Sequence, residues 1–316
     1  MSRLSYDTAE VLVYDPVTGN RTATRAALYN LGFRKIETVG ALDAFASSLR
    51  RKPPDLVLCE AQGADTELCT MIQNMRQSAE GYNPFIVVIV TAWDNSNALV
   101  HRVLNSGADD LLLRPFSAAI LAQRIWAHIE RRKGFVITSE YVGPDRRADS
   151  ARPSDVELFT PPNSLQMKAK ERLTENAAMQ RLDSELKTAR HKLTSEKLRR
   201  DAFQVCILWR LVQDAAPKSR KYDGEMEKLK IIASNISKRC LDTDYEAAVE
   251  WCDSILSAVD NLREGEDRNA AMHLLGHAAL GLNRVFDTEK SSAEHLKEIE
   301  ATVAIIKARH QTAMAS

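Results

Sequence analysis

Between Val11 and Arg132 the chain alternates short, almost wholly apolar runs with amphipathic stretches. VLVY (Val11 to Tyr14) is the first run and IETV from Ile36 a weaker second. DLVLCE (Asp55 to Glu60) is the third, FIVVIVTA (Phe85 to Ala92) the fourth, and DLLLR, ending at Arg114, the fifth. Runs of this length without polar alternation predict strands buried on both faces. Between the first two, Ala23, Ala26, Ala27 and Leu31 recur at helical spacing, and Gly32 is placed to stop that helix. LDAFASSLRR is a short amphipathic helix closed by Pro53 and Pro54, and SAAILAQRIWAHIERR follows Pro115. Strands alternating with helices predict an α/β domain over residues 1–133, a parallel sheet of five strands covered on both faces by five helices. In such a sheet the carboxyl ends of the strands are where ligands and chemistry collect.

The pattern breaks from Lys133 to Pro162. Prolines, glycine and clustered charge in FVITSEYVGPDRRADSARPSDVELFTPPN indicate a connector over 134–162, either a solvated tether or a strip docked on a domain, with FVITSEYV able to extend and GPDRR to turn. From 163 to 316 strand signals vanish. Met179, Leu182, Leu186, Ala189 and Leu193 form a seam at spacings of three and four, the mark of a long coiled-coil-like helix. DAFQVCILWRLV is far more apolar and leads that helix into a bundle, and Pro217 ends or kinks it. Further helices are expected over Gly224–Lys238, Asp244–Leu262, Arg268–Val285 and Ala293–His310, the last with Leu296, Ile299, Val303, Ile306 and His310 in register. Periodicity alone leaves an intramolecular hairpin and a dimer seam both open.

Charge narrows the partners. Lys and Arg number 43, as do Asp and Glu, so no global field draws in nucleic acid or an anionic membrane. The five cysteines Cys59, Cys69, Cys206, Cys240 and Cys252 are scattered without a CxxC pair, which fits reduced thiols better than a disulfide scaffold or zinc site. MSRLSYDTAEV lacks a signal-peptide core, and no apolar run approaches the roughly 18 residues needed to span a bilayer. A cytoplasmic, non-membrane protein is the expectation.

PDLVLCE, VIVTAWD and NSGADDLLLRPF together give the first domain its likeness: it resembles the receiver domain of bacterial two-component response regulators. The resemblance implies an acidic pair for magnesium after the first strand, a phosphoacceptor aspartate after the third, Thr or Ser after the fourth and Lys-Pro after the fifth. The matching positions are Asp15 and Pro16, Glu60, Thr91, and Arg114 with Pro115. Pro16 carries no side-chain oxygen, so at most a weak magnesium site at Asp15 and Glu60 is expected, and no cofactor. Without that cation, phosphoryl transfer lacks charge neutralisation. Glu60 reaches one methylene further than aspartate. It either points a fixed negative charge at Thr91 and Arg114, imitating a phospho-aspartate, or is relic polarity. The guanidinium of Arg114 suits a carboxylate fork, with Asp15 and Glu60 both candidates. Leu111 stands where the family commonly carries its switching aromatic. In EAQGADTELCTM, Gly63 permits a tight turn and Asp65 or Thr66 caps the next helix. The resemblance also implies a docking or dimerising face around the fourth helix, fifth strand and fifth helix, with Leu111, Ile125, Trp126 and Ile129 as candidates.

AMHLLGHAALGLN is weakly similar to the helical motif of histidine phosphotransfer domains, but Met272 occupies the phosphorylated position. His273 and His277, at i and i+4, are either bundle residues, phosphotransfer residues or a metal pair lacking a third ligand. No phosphate loop, zinc spacing, cyclase signature or dense basic face for nucleic acid follows. The expected function is a non-enzymatic signalling adaptor, a degenerate receiver acting through a protein partner and able to homodimerise through the receiver or the long helix. The alternatives are a phosphorelay component using Glu60 or a histidine, and a nucleic-acid-binding output.

Overall fold

The computed structural model describes residues 4–77, 82–146, 158–171, 175–217, 219–241, 245–264, 267–288 and 290–315. The chain divides into two compact units, 1–194 and 195–316. In the first, a five-stranded parallel sheet runs in the order β2-β1-β3-β4-β5. The strands are β1 (Glu10–Tyr14), β2 (Lys35–Val39), β3 (Leu56–Glu60), β4 (Val87–Ala92) and β5 (Asp110–Leu113). They alternate with α1 (Thr18–Leu31), α2 (Leu42–Arg51), α3 (Asp65–Arg76), α4 (Asn97–Asn105) and α5 (Ala118–Glu130). This is the flavodoxin-like receiver topology that the resemblance implies, built from the alternating strands and helices that the apolar pattern predicts.

The twofold periodicity of strands explains the two layers. Leu12, Tyr14, Val57, Cys59, Val88 and Val90 face one core with Phe45, Leu68 and Val103 from α2, α3 and α4. Val11, Val13, Leu56, Leu58, Val87 and Ile89 face the other with Leu28 of α1 and Leu121, Ile125 and Ile129 of α5. Gly32 ends α1 in the left-handed region, at φ 111°, as its position predicts. Gly63 makes its turn at φ 81°. The expected cap of α3 is corrected: its N-cap is Ala64, without a side-chain bond, and Asp65 lies in the first turn and pairs with Arg102.

The expected boundaries at 133 and 162 do not coincide with the division at 194. Residues 135–137 and 142–144 pair as an antiparallel hairpin, β6 (Phe135–Ile137) and β7 (Val142–Pro144), and Phe135 also bridges Phe159. Helix α6 (Ser164–Glu171) buries Leu165 and Ala169 in the α1/α5 core. Asn163 Nδ2 and Gln166 Nε2 donate to the carbonyls of His128 and Ile129, supplying partners for the end of α5. The described parts of the expected connector are thus docked structure, while 147–157 lie outside the described residues. Helix α7 (Glu175–Asp214) carries the predicted seam, and up to Thr194 that seam has a partner within the unit. Ala189 and Leu193 are buried with Phe85, Phe135, Ile137, Val142 and Phe159, and Leu186 packs against them. The Met179 side chain lies outside the described residues.

In the second unit, the end of α7, α8 (Arg220–Cys240), α9 (Ala247–Glu264), α10 (Arg268–Phe286) and α11 (Ser292–Ala315) enclose one core. Helix α7 stops at Asp214, three residues before Pro217. Ile299 and Val303 turn inward from α11, whereas Leu296 is exposed and the His310 side chain lies outside the described residues. Among the described residues, no helix is long and apolar enough to cross a membrane.

Candidate functional site

Strand register assembles the site. Glu60 and Thr91 are direct neighbours across β3 and β4, Asp15 follows the last residue of β1, and Arg114 follows β5 with its amide on the Ala92 carbonyl. Four residues far apart in sequence therefore meet at the carboxyl end of the sheet. Asp15 and Glu60 are fully buried and Thr91 is 1% exposed.

Arg114 spans the two carboxylates. Its Nε donates to Glu60 Oε2 at 2.6 Å, and its Nη2 donates to Asp15 Oδ2 at 2.9 Å and to Thr24 Oγ1 at 3.2 Å. The fork divides between two acids instead of closing bidentately on one. Thr91 Oγ1 donates to Glu60 Oε2 at 2.7 Å, and the Gln62 amide donates to Oε1 at 3.1 Å. The second oxygen of Asp15 accepts from the Val17 amide at 2.8 Å. Burial pushes the Asp15 carboxyl above its ordinary pKa, opposed by the Val17 amide and Arg114 and reinforced by Glu60.

Every carboxylate oxygen of the pair thus has a donor within 3.1 Å, and Pro16 presents no side-chain oxygen. Magnesium would need several of those same oxygens in a near-octahedral shell. The residues do not fit that ion while Arg114 is in place, since its guanidinium holds the position between the acids that a cation would neutralise. Among the described residues, no group of three or more His, Cys, Asp or Glu side chains could hold a metal.

Three contributors escaped the sequence reading. Thr24, on the inner face of α1, accepts from Arg114, and the Phe116 ring centre lies 4.9 Å from the Arg114 guanidinium. Arg21 donates to the Asp15 carbonyl at 2.6 Å and fills the space beside Gly40. Only the spacing of Thr24 and Arg21 along α1, close behind Asp15, could have suggested them.

The expected interface residues separate. Ile125 and Ile129 are buried, which corrects their assignment to a docking face: they form the inner stripe of α5 against the sheet. Trp126 is half-buried with Arg131 5.1 Å from its ring centre, and Leu111 packs partly into the α2–α4 core. His273 and His277 both lie exposed on α10, while Met272 is nearly buried.

A second polar cluster sits at the opposite end of the sheet. Arg76 is fully buried, donating to the carbonyls of Gly107, Pro84 and Ile86 and to Asp109 Oδ2 at 2.7 Å. Arg132 grips the same carboxylate at 2.9 Å, and both guanidiniums lie 5.1 Å from the Phe135 ring centre. Burial alone would raise the Asp109 carboxyl, but Arg132 and Arg76 outweigh it and hold the pKa at about 2. Burial lowers the Arg76 guanidinium to about 10, so it stays cationic at neutral pH. No sequence motif marks this cluster.

Comparison with protein-family models and with curated proteins finds no match. Solved structures similar to the first unit include the receiver domain of a sensor histidine kinase from Pseudomonas aeruginosa, with magnesium in its cleft. It is 23% identical over 38% of this chain and 95% of that chain, with a TM-score of 0.34. A signal receiver domain from Clostridium thermocellum is 19% identical over 39% and 98%, with a TM-score of 0.35. A pilus assembly protein from Burkholderia thailandensis is 14% identical over 38% and 96%, with a TM-score of 0.32. The strand order and intervening helices give residues 10–130 a receiver-like fold, and the helical remainder has no assignment.

Proposed function

We propose that this chain is a signalling adaptor whose receiver-like unit is held in one state by Glu60 and acts by binding a protein partner, without catalysis or aspartate phosphorylation. The observation that carries this reading is the closed circuit at the strand ends. A carboxylate at the phosphoacceptor position already receives the Thr91 hydroxyl and the Arg114 guanidinium. Those two groups are the donors that a phosphoryl oxygen would recruit, and the circuit supplies their partner permanently. Glutamate suits the role because its extra methylene carries the charge further from the strand than aspartate would. The cost of burying two acids is offset by one shared guanidinium and by backbone amides. With Arg114 held between the acids, the chain forgoes the cation that phosphoryl transfer requires.

The test is to incubate the full chain with acetyl phosphate and magnesium and to measure its intact mass. No phospho-adduct is the expected result. A stoichiometric adduct that disappears in Glu60→Gln would overturn the reading in favour of an active phosphorelay component.

A further inference from the structure

A cavity at the amino-terminal end of the sheet takes no part in the strand-end circuit. It has a volume of about 460 Å³ and lies wholly within the first unit. Glu10, Asp55 and Asn83 meet there because β1 begins at Glu10, Asp55 directly precedes β3 and Asn83 comes shortly before β4. Pro53 and Pro54 line it from the connection between α2 and β3, and Leu182 and Leu186 line it from α7. Ser164 and Lys168 of α6 complete the wall. Its size falls in the range of small-molecule sites.

The floor is polar, buried and only partly satisfied. Asp55, Asn83 and Ser164 are 3%, 5% and 7% exposed. Asp55 Oδ2 accepts from the Glu10 amide at 2.7 Å and from Lys168 Nζ at 2.9 Å, and Asn83 Oδ1 accepts from the Phe85 amide at 3.0 Å. Those bonds fix both side chains. The other ends of the same groups, Asp55 Oδ1 and Asn83 Nδ2, have no hydrogen-bond partner among the described residues, and neither has Ser164 Oγ. None of these three atoms is sealed, and all three residues line the cavity. The floor therefore presents a fixed acceptor, a fixed donor and a hydroxyl that does either.

Charge at the rim is mixed. Lys52 pairs with Glu10 at 2.7 Å and Lys168 with Asp55 at 2.9 Å. Asp183 and Lys187 have no ion pair among the described residues, and Arg190 donates to the Tyr82 carbonyl at 3.1 Å. We propose that this cavity binds a nucleoside monophosphate, its base edge inward against Asp55, Asn83 and Ser164 and its phosphate outward at Lys187 and Arg190. A base edge carries N–H groups and acceptors side by side, which is the complement of that floor. Prolines from one element and leucines from another give the ring an apolar lining. A simple amide would satisfy the floor and leave most of the volume unfilled, whereas base and ribose together occupy it. With Asp183 counted, the α7 rim keeps one positive charge in excess for phosphate. Glu60 lies at the opposite end of β3, so occupancy here is independent of the adaptor reading.

The experiment is isothermal titration calorimetry of the full chain with AMP, with GMP and with ribose 5-phosphate. Expected is saturable binding of AMP or GMP, with ribose 5-phosphate weaker by roughly tenfold or more because it leaves the floor unpaired. Leu182→Trp, which fills the cavity from α7, and the double variant Lys187→Glu/Arg190→Glu should each lower nucleotide affinity by about tenfold or more. Circular dichroism checks that both keep their helices. Lys187 and Arg190 are exposed, so the double variant tests the site even where Leu182→Trp misfolds. No saturable binding of either nucleotide at millimolar concentration would overturn the proposal. So would ribose 5-phosphate binding as tightly as the nucleotides, or affinity unchanged in Lys187→Glu/Arg190→Glu.

Discussion

At the scale of single residues, the receiver-like site depends on Arg114 having two acids to hold. Glu60→Gln leaves the geometry nearly intact but removes one of the two charges facing a guanidinium that is only 8% exposed. The expected outcome is a loss of about 2–4 kcal/mol in urea denaturation, from a charged hydrogen bond removed in a buried setting. Pro16 raises a different question, since restoring an acid there would seem to restore a metal site. Pro16→Asp alone is expected to bind no magnesium by isothermal titration calorimetry, because Arg114 Nη2 remains 2.9 Å from Asp15. Adding Arg114→Lys should free Asp15 and bring measurable heat, since an ammonium lacks the fork that spans both carboxylates. Proline and arginine would thus both have to change before the acids could hold the ion. Asp15, Glu60, Thr91 and Arg114 were all legible as strand-end residues, because each follows or ends an apolar run. Their mutual hydrogen bonds were not, because periodicity fixes which end of a strand a residue occupies and leaves its side-chain partners open.

Among elements, the Asp109 cluster ties α3, the start of β5, the end of α5 and the β6–β7 hairpin to one carboxylate. Its folded pKa, about 2, lies below the ordinary 3.8. An acid depressed on folding stabilises the native state above its unfolded pKa and loses that contribution as pH falls from 3.8 towards 2. The first unit should therefore weaken across that window in acid titrations followed by near-ultraviolet circular dichroism. Asp109→Asn should cost about 3–5 kcal/mol at neutral pH, since Arg76 and Arg132 are left buried without their counter-charge, and should flatten the acid limb. The hairpin itself needs two close glycines: a Cβ at Gly107 would fall 2.5 Å from the Val142 carbonyl oxygen, and one at Gly143 would fall 2.7 Å from Gly107 Cα. The sequence suggested an extended FVITSEYV followed by a turn at GPDRR. The turn instead lies inside FVITSEYV, at Thr138–Tyr141, and Gly143 and Pro144 belong to β7. Nor could the pattern show where the hairpin docks. That depended on Arg76, more than thirty positions before Asp109 and invisible as a motif. The same reason undid the interface assignment of Ile125 and Ile129, whose helical stripe is equally consistent with either face until the sheet takes one of them.

For the molecule as a whole, the position of the division bears on what folds independently. A fragment of residues 1–194 is expected to unfold in one cooperative urea transition. A fragment ending at Lys133 should be less stable, because it uncovers Phe85 and the α1/α5 core that Leu165 and Ala169 close. The second unit has its own continuous core from Leu198 to Val303. Composition said little about either unit beyond the absence of a net charge. The balance of 43 bases and 43 acids also conceals local departures: α1, α4 and α10 contain no carboxylate.

The sequence by itself determined the order of strands and helices, the stop at Gly32, the end of the long helix before Pro217, and the residue types at the carboxyl ends of the sheet. These are local matters: backbone sterics, side-chain periodicity and the chemistry a residue carries wherever it lies. Tertiary structure alone decided that Arg114 would close on Glu60 and Asp15, and that the Leu186–Leu193 seam would pack on a hairpin. Each joins groups distant in sequence, and their pairing is set by packing density and by the need to satisfy every buried charge.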